Sequence, residues 1–269
     1  MKIGDLEVHI LSDGRFRLDG GSMYGAVPRP RWEPFSPTDE RHRIQMDLLC
    51  TLIKTPTARV LIDTGIGPDV TDQYRDVLAL ERSRSIVDQL ADWGVAPDEV
   101  THVVLTHLHF DHVGGSGLFP KARYVIQKKE WDAAHSDHPK ARAGYPRKPL
   151  EPLHHAPRLD LVDGEKEIVP HVRVLPTGGH TWGHQVVLAE SSDGGILCWG
   201  DLLPLVPYVR PLWVCGYDVD PEGSVTQKLR LARLAAEREW RVVTSHDPNL
   251  KIGVIRAEAK PGAFRMEAV

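Results

Sequence analysis

Within six consecutive positions the chain carries His107, His109, Asp111 and His112, in the run Thr106-His107-Leu108-His109-Phe110-Asp111-His112. Packing alone is a poor reason for three imidazoles and a carboxylate so close together. Buried without a cation they would be like-charged or unsatisfied groups, which is costly. Nitrogen and oxygen donors at this spacing suit a divalent metal, with zinc the first choice. Further donors of the same kind stand at His184, Asp201 and His246. Five histidines and two aspartates are too many for one tetrahedral ion and about right for two, with a carboxylate lending one oxygen to each.

Each donor lies just past an apolar run, where a strand would end and a loop begin. The run 102–105 leads into the histidine cluster and Val113-Gly114-Gly115 follows it. Side chains alternate along a strand, so a strand entering a tight turn there projects His107, His109 and Asp111 to one side. Strands are expected at 3–11 and 15–18, joined as a hairpin by Ser12-Asp13-Gly14, and at 46–55, 59–63 and 100–106. More are expected at 122–126, 159–162, 166–169, 172–176, 185–190, 195–199, 241–244 and 251–257. Helices are expected at 85–93, 128–135 and 222–240. In the last, Val225, Leu229, Ala232, Ala236 and Trp240 form the apolar stripe, and Lys228, Arg233, Glu237 and Arg241 face out. Strands often follow one another directly, in two similar halves, which predicts two sheets with helices outside. Asp63, at a strand end beside Gly65, is either a turn residue or an outer support for a ligand.

Three stretches read as long loops: 19–43, 136–158 and 202–219. Long loops in compact domains are usually functional or disordered, and aromatics argue against disorder. Met23, Tyr24, Trp32 and Tyr208 are the candidates for substrate contact from these loops, with core packing or a homodimer contact as their other uses. His154-His155 in the second loop reads as a surface pair.

The 269 residues suffice for one large domain, taken as 1–269, since nothing resembles a linker. A net charge of −4 without a basic block argues against nucleic acid. Cys50, Cys198 and Cys215 are odd in number and far apart, which argues for packing in a reducing compartment. The N-terminus alternates like a strand and not like a signal peptide, and no run reaches the length of a membrane span, so the expectation is a cytoplasmic protein that binds no membrane.

Taken together, His-x-His-x-Asp-His with Gly-Gly behind it, Gly-His-Thr-x-Gly-His at 179–184, Gly200-Asp201, Ser245-His246 and Leu61-Ile62-Asp63-Thr64-Gly65 resemble the metallo-β-lactamase superfamily over about 45–247. The resemblance implies an α/β (α+β) fold, a four-layer αββα sandwich with the site at one edge of the sheets. It implies that His107, His109 and His184 hold one metal, that Asp111, His112 and His246 hold the other, and that Asp201 bridges. His180 is then structural or an outer support for a ligand, the second histidine of Gly-His-Thr-x-Gly-His being the ligand in the family. Two such metals would give a hydroxide at neutral pH and polarise a carbonyl or phosphoryl oxygen, with Asp111 as the catalytic general acid.

Residues 22–28, with Trp32 and 39–41, are similar to quorum-quenching N-acyl-homoserine lactonases and methyl parathion hydrolase-like enzymes. The expected reaction is therefore lactone opening on a small-molecule ester or lactone. The alternatives are phosphotriester or aryl ester hydrolysis, thioester hydrolysis, and a non-catalytic metal-binding protein. Some homoserine lactonases carry a Tyr three residues after the bridging Asp; here that position is Pro204, and Tyr208, Tyr24 or Tyr217 would have to stand in.

Overall fold

The computed structural model describes residues 1–70, 72–154 and 158–269; His155, half of the surface pair expected above, lies outside them. One sheet contains, in spatial order, Lys2–Ile3 (β1), Leu6–Asp19 (β2), Arg43–Lys54 (β3), Arg59–Ile62 (β4), His102–Val104 (β5), Arg123–Gln127 (β6) and Leu159–Val162 (β7). The other contains Lys166–Val169 (β8), Val172–Pro176 (β9), Gln185–Ser191 (β10), Gly194–Cys198 (β11), Arg241–Val243 (β12), Ile252–Ala257 (β13) and Phe264–Ala268 (β14), again with sequence neighbours paired. The helices are Gly20–Tyr24 (α1), Arg29–Trp32 (α2), Asp72–Val77 (α3), Ile86–Asp92 (α4), Phe110–Val113 (α5), Lys128–Ala134 (α6), Pro139–Gly144 (α7), Arg147–His154 (α8) and Pro221–Glu237 (α9).

The central strands are apolar on both faces, and the period of two sorts those faces between layers. Val104 of β5 and Val125 of β6 meet Val187 of β10, Cys198 of β11 and Val243 of β12 between the sheets. The alternate residues Val103, Tyr124 and Ile126 face out against α4 and α8, where Ile86, Leu90, Leu150 and Leu153 cover them. On the far side, Val186, Leu188, Leu197 and Val242 pack under Leu231, Ala232 and Ala235 of α9. The result is the four-layer αββα arrangement. Each such buried aliphatic side chain contributes about 1.5–3 kcal/mol by leaving water.

Several local expectations are corrected. Ser12-Asp13-Gly14 is no hairpin turn. β2 runs unbroken through it, paired with β3 along its length, with a register shift between Ser12 and Arg15. The bulge turns Asp13 inward, where its carboxylate accepts from Gly67 N at 2.9 Å and Arg82 Nη1 at 3.0 Å. The glycines and prolines of 19–43 do not exclude helix: Asp19 caps α1 by accepting from Ser22 N at 2.7 Å, and Pro30 sits in the first turn of α2, where no N–H is needed. Likewise 136–158 holds α7 and the described part of α8. Lys228 does not face out. It is 2% exposed, its ammonium donates to the carbonyls of Arg210 and Trp213, and it lies 5.4 Å from the Tyr208 ring. β14 had no counterpart among the expected strands.

Candidate metal centre

Parallel pairing explains why distant donors meet. β4, β5 and β6 run parallel to one another, as do β11 and β12. Their carboxyl ends therefore reach the same edge of the sandwich. Asp63 follows β4, His107 follows β5, Asp201 follows β11 and His246 follows β12. Backbone bonds tie the two sheets there: Gln185 N donates to Thr106 O at 2.9 Å and Asp47 N to His246 O at 2.9 Å.

The donors form two groups. His107, His109, His180 and Asp201 can aim one ligand atom each at a common point, and so can Asp111, His112 and His246. Asp201 touches both. Its Oδ1 lies 3.0 Å from His246 Nε2 and 3.3 Å from His112 Nε2, while its Oδ2 lies 3.3 Å from His180 Nε2. Ser245 Oγ donates to Oδ1 at 2.7 Å and fixes the carboxylate.

The residues present fit a pair of metal ions. Most of the rings have one nitrogen committed elsewhere. His112 Nδ1 donates to Asp63 Oδ2 at 2.9 Å, His246 Nδ1 to Asp47 O at 2.8 Å, and His180 Nδ1 to Asp218 Oδ1 at 2.8 Å. His107 Nδ1 donates to Thr106 Oγ1 at 3.1 Å, whose own proton goes to Asp63 Oδ2. In neutral rings the opposite nitrogens then carry lone pairs, and these face one another: His112 Nε2 and His246 Nε2 are 3.2 Å apart, and His109 Nδ1 is 3.0 Å from His107 Nε2 and 3.1 Å from His180 Nε2. Converging lone pairs call for a positive charge between them, a metal ion or a shared proton, and two groups of three or four such donors suit metal ions. Burial pushes His107 and His109 well below the ordinary imidazole range, which keeps them neutral ligands. Burial works against the charge of Asp201, but His246 and His112 hold its carboxyl well below the usual range.

Asp63 stands directly behind the cluster. It sits at φ 57°, accepts from Thr106 N at 2.8 Å, and holds both Thr106 and His112 in place.

His184 is not where its spacing suggested. Its Nδ1 bonds Thr177 Oγ1 at 2.7 Å, and its Nε2 accepts from Asp201 N at 3.1 Å. Both nitrogens are used, so no lone pair remains for an ion. His180, expected to be structural or an outer support, joins His107, His109 and Asp201 in the first group instead. His184 O accepts from the backbone of Thr177 and Gly178, and Gly178 and Gly179 take positive φ. That tight loop swings His180 into the cluster.

A cavity of about 440 Å³ opens on the centre, with His109, Asp111, His180, Asp201 and His246 at its floor. Leu18, Met23, Leu78, Phe110, Trp182 and Val219 supply apolar wall, and Lys140, Tyr145 and Tyr217 supply polar groups. Of the four residues expected to contact substrate, Met23 lines this cavity. The other three are core: Tyr24 stacks on Trp32 with centroids 4.9 Å apart, and the Tyr208 hydroxyl donates to Met23 O. All three are at most 3% exposed. Tyr145, Trp182, Lys140 and Tyr217 form cavity wall instead. Of these, Tyr217 alone had been considered as a stand-in for the tyrosine replaced by Pro204. Tyr145 is a polar loop residue that could equally have faced a pocket or solvent, and nothing in the local spacing of Lys140 and Trp182 marks them for this role.

The sequence model for the metallo-beta-lactamase superfamily matches residues 48–246. An N-acyl homoserine lactonase from Bacillus thuringiensis is 28% identical over 199 residues, which is 70% of this chain and 72% of that protein. One from Agrobacterium fabrum is 28% identical over 216 residues, 74% of this chain and 81% of its own. Among solved structures, a probable metal-dependent hydrolase from Staphylococcus aureus superposes with a TM-score of 0.89 at 27% identity, covering 100% of this chain and 99% of its own. A dizinc quorum-quenching lactonase in complex with a hexanoyl-homoserine product shares the fold, with a TM-score of 0.79 at 23% identity, covering 100% and 96%.

Proposed function

The chain belongs to the metallo-β-lactamase superfamily, and from that membership we propose that it is a lactonase that opens N-acyl-homoserine lactone rings. It is a hydrolase acting on ester bonds. The lactone reading rests on one observation above the others: the cavity joins a floor of histidines and aspartates to a wall that is mostly apolar. That pairing suits a polar ring held over the centre and an acyl tail lying along Met23, Leu78, Phe110 and Trp182. The relatives from Bacillus thuringiensis and Agrobacterium fabrum are named as lactonases of that substrate class.

His107, His109 and His180 would hold one divalent ion, Asp111, His112 and His246 the other, with Asp201 shared and zinc the expected metal. When bound, such ions supply an activated water and polarise the ester carbonyl. The chain's own residues do the rest. Asp63, Asp47, Asp218 and Thr106 lock the imidazole tautomers. The apolar wall excludes bulk water from the tail. Asp111, whose Oδ2 lies 3.6 Å from His246 Nε2 and which lines the cavity, would pass a proton to the leaving alkoxide oxygen as the ring opens. Residues 1–269 act as one domain, because both sheets contribute to the one centre.

The test is a panel on metal-replete protein comparing acyl-homoserine lactones of several chain lengths, simple lactones, aryl esters and paraoxon. Highest kcat/KM on the acylated lactones supports the proposal. A preference for the aryl esters or the organophosphate would replace it.

A further inference from the structure

Away from the centre, two histidines meet on the protein surface. His135 follows α6 and His154 ends α8, and both are exposed. His135 Nδ1 lies 2.7 Å from the carbonyl oxygen of Trp131. A carbonyl only accepts, so this nitrogen carries the proton and Nε2 of the neutral ring carries the lone pair. That lone pair points at His154 Nε2, 2.9 Å away. The Trp131 ring backs both imidazoles, with centroids at 4.3 and 5.1 Å, and shields them on one side while the other stays open to water.

We propose that His135 and His154 form a peripheral site for a transition-metal cation of the zinc, nickel or copper class, with water completing its coordination. Imidazole nitrogens suit these ions. A neutral imidazole pair in open water gains little from its mutual hydrogen bond, because water competes for both partners. An ion held by both rings gains two strong bonds in the same geometry.

The ion would act as a clip. The two histidines are 19 residues apart. Between them lies α7, which with Tyr145 supplies Lys140, Ala143 and Gly144 to the cavity wall. Gly144 packs so closely on the centre that a Cβ there would lie 3.3 Å from His109 Nε2. Joining α6 to α8 therefore restrains the wall of the substrate cavity, and the ion stabilises that closed span by mass action.

Equilibrium dialysis of the zinc-loaded protein against rising free zinc tests this, with wild type, His135→Ala and His154→Ala side by side. Wild type should take up one more ion per chain, and either variant should weaken that uptake by at least about tenfold. Before zinc is added, circular dichroism and melting temperature of the variants should match wild type, because both rings are at the surface. Trypsin cleavage after Lys140 and Arg142 should slow with zinc in wild type alone. Equal uptake by all three proteins would overturn the site, and uptake without protection from trypsin would overturn the clip. The readout is bound metal and cleavage, so it is independent of whether the substrate is a lactone.

Discussion

His180 Nδ1 donates to Asp218 Oδ1 at 2.8 Å, and this single bond turns the opposite nitrogen of the ring toward His109 and Asp201. The consequence separates two histidines that sequence motifs treat alike. His180→Ala should lower bound metal and abolish most lactone turnover. Asp218→Asn, which keeps the shape and weakens the bond, should weaken metal binding by about 10–100-fold. His184→Ala should instead cost about 1–3 kcal/mol of stability, through the unpaired Asp201 N and the bond lost at Thr177 Oγ1, and disturb metal content less. Metal analysis and thermal melts of the three variants decide it. Greater metal loss in His184→Ala than in His180→Ala would reverse the assignment.

Asp63 spans the two groups from outside, holding Thr106 behind His107 and His112 directly. Asp63→Asn removes the charge from both contacts. Metal affinity, measured by chelator competition, should fall about 10–100-fold while the fold persists. Unchanged affinity would reduce Asp63 to a turn residue.

Lys228 gives a stability prediction with a definite sign. Burial lowers its ammonium to about 7, against an ordinary value of 10.5, with Asp218 and Cys215 pulling the other way. The unfolded chain thus binds this proton more tightly than the native one. Below about 7 both states are charged and the native state bears the full cost of the buried ammonium. Between there and 10.5 that cost is progressively relieved, so the group makes stability rise with pH. In Lys228→Met this slope is absent. The difference in melting temperature, variant minus wild type, should fall as pH rises through that window. A constant difference would show that the native ammonium titrates normally.

The aromatic residues divide by position. Trp182 lines the cavity, whereas Trp32 is 3% exposed and stacked on Tyr24. Trp182→Ala should raise KM for long acyl chains with little effect on short ones. Trp32→Ala should cost about 3–5 kcal/mol of stability. If Trp32→Ala left stability intact and changed chain-length preference, the aromatic cluster would be substrate wall after all.

How much of this was legible in the sequence follows from how local each feature is. His107 to His112 lie on one short turn, so their spacing alone suggested that they meet, and apolar runs before Asp201 and His246 marked strand ends. His180 and His184 could not be ordered that way. Which of them points inward depends on Gly178 and Gly179 taking positive φ, and on Asp218, 38 residues from His180, reaching back to hold it. Tyr24, Trp32 and Tyr208 have the composition of a pocket but the burial of a core, and composition does not distinguish the two. Lys228 broke its helical pattern because carbonyls from another segment receive its ammonium. The bulge at Asp13 read as a turn because its inward partner, Arg82, is distant in sequence.

The two histidine groups joined through Asp201 would make one dinuclear lactonase centre. Its most direct test is to strip the protein of metal, restore zinc stepwise, and follow kcat/KM on an acyl-homoserine lactone against ions bound per chain. Turnover should be negligible without metal and should rise to a plateau when both groups are filled. Full activity with one group filled, or no lactone turnover with both filled, would contradict it.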